Sequence, residues 1–378
     1  MDGSSLVNPP NSEEIEVSVF GPGYGESIIA HVGLGDWVVV DSCLDRDSGS
    51  PAAIKYLRSI GVDPSTSVRL IVATHWHDDH MRGLASVFEE CKSAKFACSA
   101  SLRSDEFLTF VHGLGKKSMM TNSGVEEFFN VIQLLRQRVE SSRPESRGPE
   151  FAIADRLLWR REGSLPVEVY ALSPSSATIA LAYGEIAQLL PTAGQPKRRA
   201  IALEPNRVAV ALWVRVGDMA VLLGSDLEET GDPGTGWLAI VRSKTRPSGR
   251  ACVFKVPHHG SATADNTDVW SEMLREKPFA ALTPFVHGNV GLPTRGDVHR
   301  ICNYTPNAYT TARFLTRLTR KRQRAVEKTV SETVRSIRVL AGPTGQVRFR
   351  TNWREEDGDP SWNVQLSNGA IELERIYG

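Results

Sequence analysis

Short apolar runs separated by turn residues open the chain. IEVSVF, SIIAHV and DWVVVDS have the length and β-branched content of strands, and Gly-rich GPGYGE and the hairpin-type GLGD divide them. AAIKYLRSI then shows helical spacing, VRLIVAT reads as a buried strand, and LASVFEEC as a second helix. Such alternation predicts layers of sheet covered by helices. Residues 102–165 break the rhythm. They are charged and helix-like, with an amphipathic stretch EEFFNVIQLLRQRVE and a loop SSRPESRGP, which predicts a helical insertion outside the core sheet, a cap or a partner surface. Alternation resumes in PVEVYAL, NRVAVALWVRV, MAVLLGSDLEE, ACVFKVPHHG and FAALTPFV. Residues 308–328 predict a basic helical segment, and VRSIRVL, QVRFRT and AIELERI predict closing strands. No fixed-period repeat divides the chain, so 1–378 reads as one α/β domain.

Composition narrows the classes. A chain of 378 residues can bury a sizeable core. Lys plus Arg and Asp plus Glu are both 44, so no global charge draws the protein to nucleic acid, and any such attraction must be local. Five scattered cysteines without CxxC spacing suit reduced thiols in the cytoplasm better than disulfides or a cysteine metal site. The polar, acidic start lacks the pattern of a signal peptide. The longest apolar region, VAVALWVRVGDMAVLLG, is broken by Arg215 and Asp218 and predicts two strands and a turn, with no membrane span.

The chemistry concentrates in THWHDDH, directly after a strand. His75, His77, Asp79 and His80 form an HxHxDH pattern, and a loop leaving a strand can turn these side chains toward two adjacent metal ions. Imidazole and carboxylate are ligands that zinc accepts, and manganese or iron can be held by the same set. Asp226 ends the strand in AVLLGSDLEE, and His258 with His259 end the one in CVFKVPHHGS. They offer the bridging carboxylate and the late histidine that a dinuclear site needs. Asp41, at the end of WVVVDS, is suited to hold a ligand histidine by a hydrogen bond.

The order of strand-end Asp41, THWHDDH, GSDLE and KVPHHGS resembles the metallo-beta-lactamase superfamily, and within it the hydrolase domain of the ComEC-type DNA-uptake (competence) proteins. VFGPGYGESIIAHVGLGDWVVVDS, EPNRVAVALWVRVGDMAVLLGSDLEE and VFKVPHHGSAT carry the closer likeness. The resemblance, which leaves out the helical insertion 102–165, implies a four-layer αββα sandwich with metals at the sheet edge. It implies His75 and His77 on the first of two divalent ions, zinc or manganese, with Asp79, His80 and one of His258 and His259 on the second and Asp226 between them. Asp79 and His80 count as catalytic, Asp79 also as a proton donor to the leaving group. The superfamily's further histidine is missing: only His112 lies between HxHxDH and Asp226. Asn206 matches the asparagine that the subgroup carries there, and the third ligand of the first metal stays open. Near the end, Leu292 precedes Pro293 where the subgroup has histidine, with His287 and His299 nearby.

The resemblance implies a nuclease or phosphodiesterase acting on DNA or RNA, a soluble stand-alone relative without the channel of the full competence protein. Stand-alone relatives imply effector roles in bacterial gene clusters, including antiviral ones. Arg317, Arg320, Lys321 and Arg322 can neutralise phosphates, or form an ordinary solvated helix face. Trp159 beside Arg160 and Arg161 is a weak stacking candidate. Two other readings stand beside this one. An acyl hydrolase of lactonase or thioesterase type shares HxHxDH, and a narrow apolar pocket would favour it. A partner-regulated subunit would use the inserted helix for recruitment.

Overall fold

The computed structural model describes residues 8–103, 124–140, 148–189, 204–287, 290–313, 344–354 and 361–377. One sheet contains β1 (Glu14–Gly21), β2 (Ser27–Val32), β3 (Trp37–Val40), β4 (Val68–Ala73), β5 (Lys95–Ser99) and β6 (Glu150–Ala152). The second contains β7 (Arg156–Arg161), β8 (Val167–Ala171), β9 (Leu212–Val216), β10 (Met219–Leu223), β11 (Ala251–Lys255) and β12 (Leu274–Leu282). β13 (Phe285–His287) and β14 (Val290–Leu292) form a separate hairpin. β15 (Ala308–Thr310) and β18 (Ile371–Glu372) extend the second sheet, while β16 (Gly345–Asn352) and β17 (Asn363–Ser367) extend the first. The orders are β17-β16-β1-β2-β3-β4-β5-β6 and β18-β15-β12-β11-β10-β9-β8-β7.

Alternation within each strand explains the layers. Along β1 and β2, Ile15, Val17, Val19, Ile28, Ala30 and Val32 fill the space between the sheets. Their neighbours Phe20 and Ile29 face outward, beneath α1 (Ala52–Ser59), α4 (Leu84–Glu90) and α5 (Gly124–Glu140). Two shorter helices, α2 (Pro64–Ser67) and α3 (Asp78–Met81), lie between α1 and α4 in the chain. In the second sheet Leu212, Val214 and Val221 point inward. Trp213, Ala220 and Leu222 pack outward with residues of α7 (Gly236–Arg242) and α8 (Arg295–Tyr304), while α6 (Ser176–Leu189) precedes β9 in sequence. Strands buried on both faces read as near-continuous apolar runs, which is why VVV and VLL look the way they do. The result is a mixed α/β fold with two large sheets sandwiched between helices, as expected.

The span 102–165 departs from the expected insertion. β6 pairs in parallel with β5, and β7 pairs antiparallel with β8, so the span supplies an edge strand to each sheet. The charges of RLLWRR obscure this, yet charged side chains are what an exposed edge tolerates, while Leu158 goes into the core. α5 uses its apolar face inside the molecule: Phe128, Val131 and Leu135 are buried with α4 residues. That removes the reason for assigning this face to a partner. Arg161 is also structural, donating to Asp36 Oδ2 at 2.6 Å and to the carbonyls of Val32 and Gly33 at 2.8 Å, and Trp159 packs on the inter-sheet core. In NRVAVALWVRV the strand is confined to β9, after a 3₁₀ turn over Pro205–Val208. Of the basic segment 308–328, residues 308–310 are strand β15. Arg317, Arg320, Lys321 and Arg322, the VRSIRVL strand and His112 lie outside the described residues. Among those described, no helix is long and apolar enough to cross a membrane.

Candidate metal centre

Parallel pairing builds the site. β3 lies parallel to β4, and β10, β11 and β12 are mutually parallel, so their carboxyl ends emerge on one rim. Asp41 follows β3, His75 follows β4, Asp226 follows β10, His259 follows β11 and Thr283 follows β12. Asp41, Ser225, His258 and His259 all have positive φ, between 47 and 57°. Non-glycine residues avoid this region, and its occurrence at four positions of one rim marks backbone bent to aim side chains.

Three groups of side chains come within reach of shared ions: Asp79, His80, Asp226 and His259; His75, His77 and Asp226; and Asp41, His75 and His80. Asp226 belongs to the first two. Its Oδ1 is 3.3 Å from His80 Nε2 and its Oδ2 is 3.4 Å from His259 Nε2, while Asp79 Oδ2 is 3.2 Å from His259 Nε2. His80 Nε2 is 3.7 Å from Asp79 Oδ2.

The outer nitrogens of these rings fix their tautomers. His80 Nδ1 is 2.7 Å from Asp41 Oδ2, an acceptor, so the proton sits on Nδ1. Thr74 donates through Oγ1 to the same Oδ2 at 2.7 Å and through its backbone N–H to Oδ1 at 2.8 Å. Its hydroxyl oxygen is then left to accept from His75 Nδ1 at 2.9 Å. His259 Nδ1 donates to the Thr283 carbonyl at 3.0 Å. One carboxylate thus orients two histidines and one carbonyl a third. In all three rings Nε2 is buried; that of His75 has no hydrogen-bond partner, and those of His80 and His259 face only the carboxylates of Asp79 and Asp226. Buried polar atoms are rarely left that way, and three imidazole lone pairs converging on two carboxylates fit divalent ions.

The electrostatics of the site follow from the same contacts. Burial pushes His80 down, but Asp226 and Asp79 outweigh it and hold its pKa well above the usual imidazole value. His259, also opposed by burial, is raised to about 9 by Asp226 and Asp79. Asp226 is held well below the carboxylate range because His80 and His259 outweigh its burial. His75 is pushed well below 6.5 by burial and by the neighbouring His80 and His77.

His258 and His259 part company here. His258 turns to the rim, with Nδ1 3.2 Å from Glu228 Oε1 and Nε2 3.2 Å from Asn206 Nδ2, and it joins none of the three groups. Asn206 therefore contacts His258, while its own Oδ1 is buried without a partner. Asp78 serves structure, accepting from the Gly124 backbone N–H at the start of α5 at 2.5 Å. His299 lies on α8 against Asn303, away from the ion positions, and His287 is exposed on the β13–β14 hairpin.

Sequence reasoning did not single out Thr74, Glu26, Lys255 or Thr283. Lys255 and Glu26 form a buried ion pair at 2.7 Å, and Lys255 Nζ is also 2.9 Å from the Ser225 carbonyl and 3.8 Å from Asp226 Oδ1. Thr283 donates to Glu26 Oε2 at 2.6 Å. A charged residue inside the apolar run ACVFKV was the available signal for Lys255; nothing local marks Thr283.

Residues 21–140 match the family model described as the Metallo-beta-lactamase superfamily. The matched segment contains Asp41 and the whole HxHxDH loop. Among solved structures, Rm3 metallo-beta-lactamase aligns over 71% of this chain and 86% of its own, at 12% identity and a TM-score of 0.31. So loose a likeness has no bearing on activity. No curated protein matches the chain.

Proposed function

We propose that this protein is a metal-dependent phosphodiester hydrolase that cleaves DNA or RNA, with two divalent ions, zinc or manganese, held among His75, His77, Asp79, His80, Asp226 and His259. The observation that carries the reading is the convergence of the buried Nε2 atoms of His75, His80 and His259 on the carboxylates of Asp79 and Asp226. Two divalent ions held by these residues would supply a hydroxide nucleophile near neutral pH and offset charge on the leaving oxygen. The protein's own residues do the rest. Asp41 and Thr74 hold His75 and His80 in the tautomer that offers Nε2. Thr283 does so for His259, and Glu26 holds Thr283. Lys255 places a positive charge beside Asp226, lowering the cost of crowding carboxylates in a dry site. The choice of phosphodiester rests on the likeness of GSDLE and KVPHHGS to the DNA-uptake hydrolases and on the cationic rim at Arg82, described below.

The test is cleavage of labelled single- and double-stranded DNA and RNA with added manganese or zinc, beside Asp79→Ala. Metal-dependent cleavage abolished by the substitution supports the reading. A metal-loaded wild type that cuts no nucleic acid overturns it. An acyl hydrolase is the second reading; the cavity of about 250 Å³ beside Trp76 sets Leu181, Ala182 and Val208 against Glu185, Glu204, Arg207 and Asp232, so it is not the narrow apolar pocket that such a substrate would need. Turnover of a p-nitrophenyl ester with no nucleic-acid cleavage would select it.

A further inference from the structure

Beside the metal centre, the loop between β1 and β2 carries Tyr24 into a cluster of rings. Its ring centroid lies 5.5 Å from that of Phe285 and 5.2 Å from that of His287, at interplanar angles of 43° and 33°. Phe285 in turn lies 5.0 Å from the His259 ring, at 31°. A row of tilted rings therefore leads outward from the ion positions. Tyr24 and Phe285 are half-buried and His287 is exposed, so the row has a solvent face.

The loop is fixed in this position. Glu26 N–H donates to the Asp79 carbonyl at 2.8 Å, and Val286 N–H donates to the Gly23 carbonyl at 2.9 Å, binding loop, HxHxDH segment and hairpin together. Gly25 has φ +118°, and a Cβ there would come within 2.8 Å of Cys43 Cβ, so only glycine allows the approach.

Arg82 closes the cluster. Its guanidinium carbon stands 5.0 Å from the Tyr24 ring centre. Among the described residues it has no carboxylate within ion-pair distance, and its Nε is buried without a partner. An unpaired guanidinium two residues beyond His80 is available to an anion, and its planar fork suits phosphate.

We infer that Tyr24, Phe285, His287 and Arg82 form a nucleotide subsite, the rings stacking on an unpaired base and Arg82 binding a phosphate next to the one that is cut. This rests on the proposed phosphodiesterase reading and deepens it, making single-stranded nucleic acid the substrate. Stacking needs a base freed from its duplex, and aromatic faces accept any base.

The experiment measures KM for a single-stranded oligonucleotide, for an abasic oligomer of the same length, and for the duplex, at saturating manganese. Wild type should favour the base-bearing strand over the abasic one by about ten-fold or more, the scale of one base on an aromatic side chain, and over the duplex as well. Tyr24→Leu should bring the base-bearing to abasic ratio close to one, with Phe285→Leu as a second variant. Arg82→Gln should raise KM for both strands alike. A wild type that cuts both strands with equal KM, or a ratio that survives both leucine variants, overturns the subsite and leaves the phosphodiesterase standing. No cutting of either strand by metal-loaded protein overturns both.

Discussion

Replacing Asp41 with Asn tests whether the carboxylate behind the site sets its metal affinity. Asp41 is buried, and its Oδ2 accepts from both His80 Nδ1 and Thr74 Oγ1 at 2.7 Å. An Asn oxygen can keep the Thr74 backbone bond at Oδ1, but the amide nitrogen then faces two donors. On binding metal, His80 must then keep its remaining proton on Nε2 or lose its partner at Nδ1, and either change weakens Nε2 as a ligand. One hydrogen bond to a charged group is lost, about 1.5 to 3 kcal/mol. At about 1.4 kcal/mol per ten-fold, that weakens metal binding roughly 10- to 150-fold, in line with the roughly 10- to 100-fold typical of partners behind metal ligands. The assay is competition with a chromophoric chelator, alongside thermal unfolding of the metal-free protein to show that the variant folds. An Asp41→Asn variant that folds and binds zinc or manganese within about two-fold of wild type would refute the orienting role.

His259→Ala should lose at least one ion per chain by elemental analysis, whereas His258→Ala should keep its metal content, because only His259 faces Asp79 and Asp226; equal losses would contradict this. Metal binding should also release protons. His80 and His259 are raised in the metal-free protein, His259 to about 9, so both are charged at pH 7 and must give up protons to become ligands. Calorimetric titration in buffers of different ionisation enthalpy should show that release, with affinity rising toward pH 9; binding indifferent to buffer would count against it. His31 predicts a separate pH effect. It is buried against Trp37, accepts from the Gly35 N–H, and its pKa is lowered to about 4, chiefly by burial. Between pH 4 and 6.5 the unfolded chain binds the extra proton, so stability rises with pH across that window, by about 3 kcal/mol. His31→Gln should flatten the curve in denaturant unfolding, and an unchanged slope would show that another group is responsible.

Much of the architecture is legible in the chain because strands buried on both faces must be apolar at nearly every position. The two sheets and their helical covers follow from runs such as WVVV, RLIVA and MAVLL. The side chains that cluster at the strand ends are legible for a similar reason. HxHxDH is local, and Asp226 and the PHHG turn announce themselves by sitting where apolar runs stop. Edge strands β6 and β7 were hidden, since a strand with one free edge can carry the charges of a surface helix and its pairing depends on distant partners.

What the tertiary structure alone decided is everything that depends on direction. His258 and His259 are adjacent and chemically identical, and only the left-handed backbone at both, with Glu228 and Asn206 on one side and Thr283 on the other, sends one ring outward and the other toward Asp79 and Asp226. Glu26, Lys255 and Thr283 come from three separated segments, and no local pattern can announce a contact that forms only when two sheets close. Residue types and strand ends placed the candidate ligands along the chain; the packing of the sheets determined which of their atoms face one another.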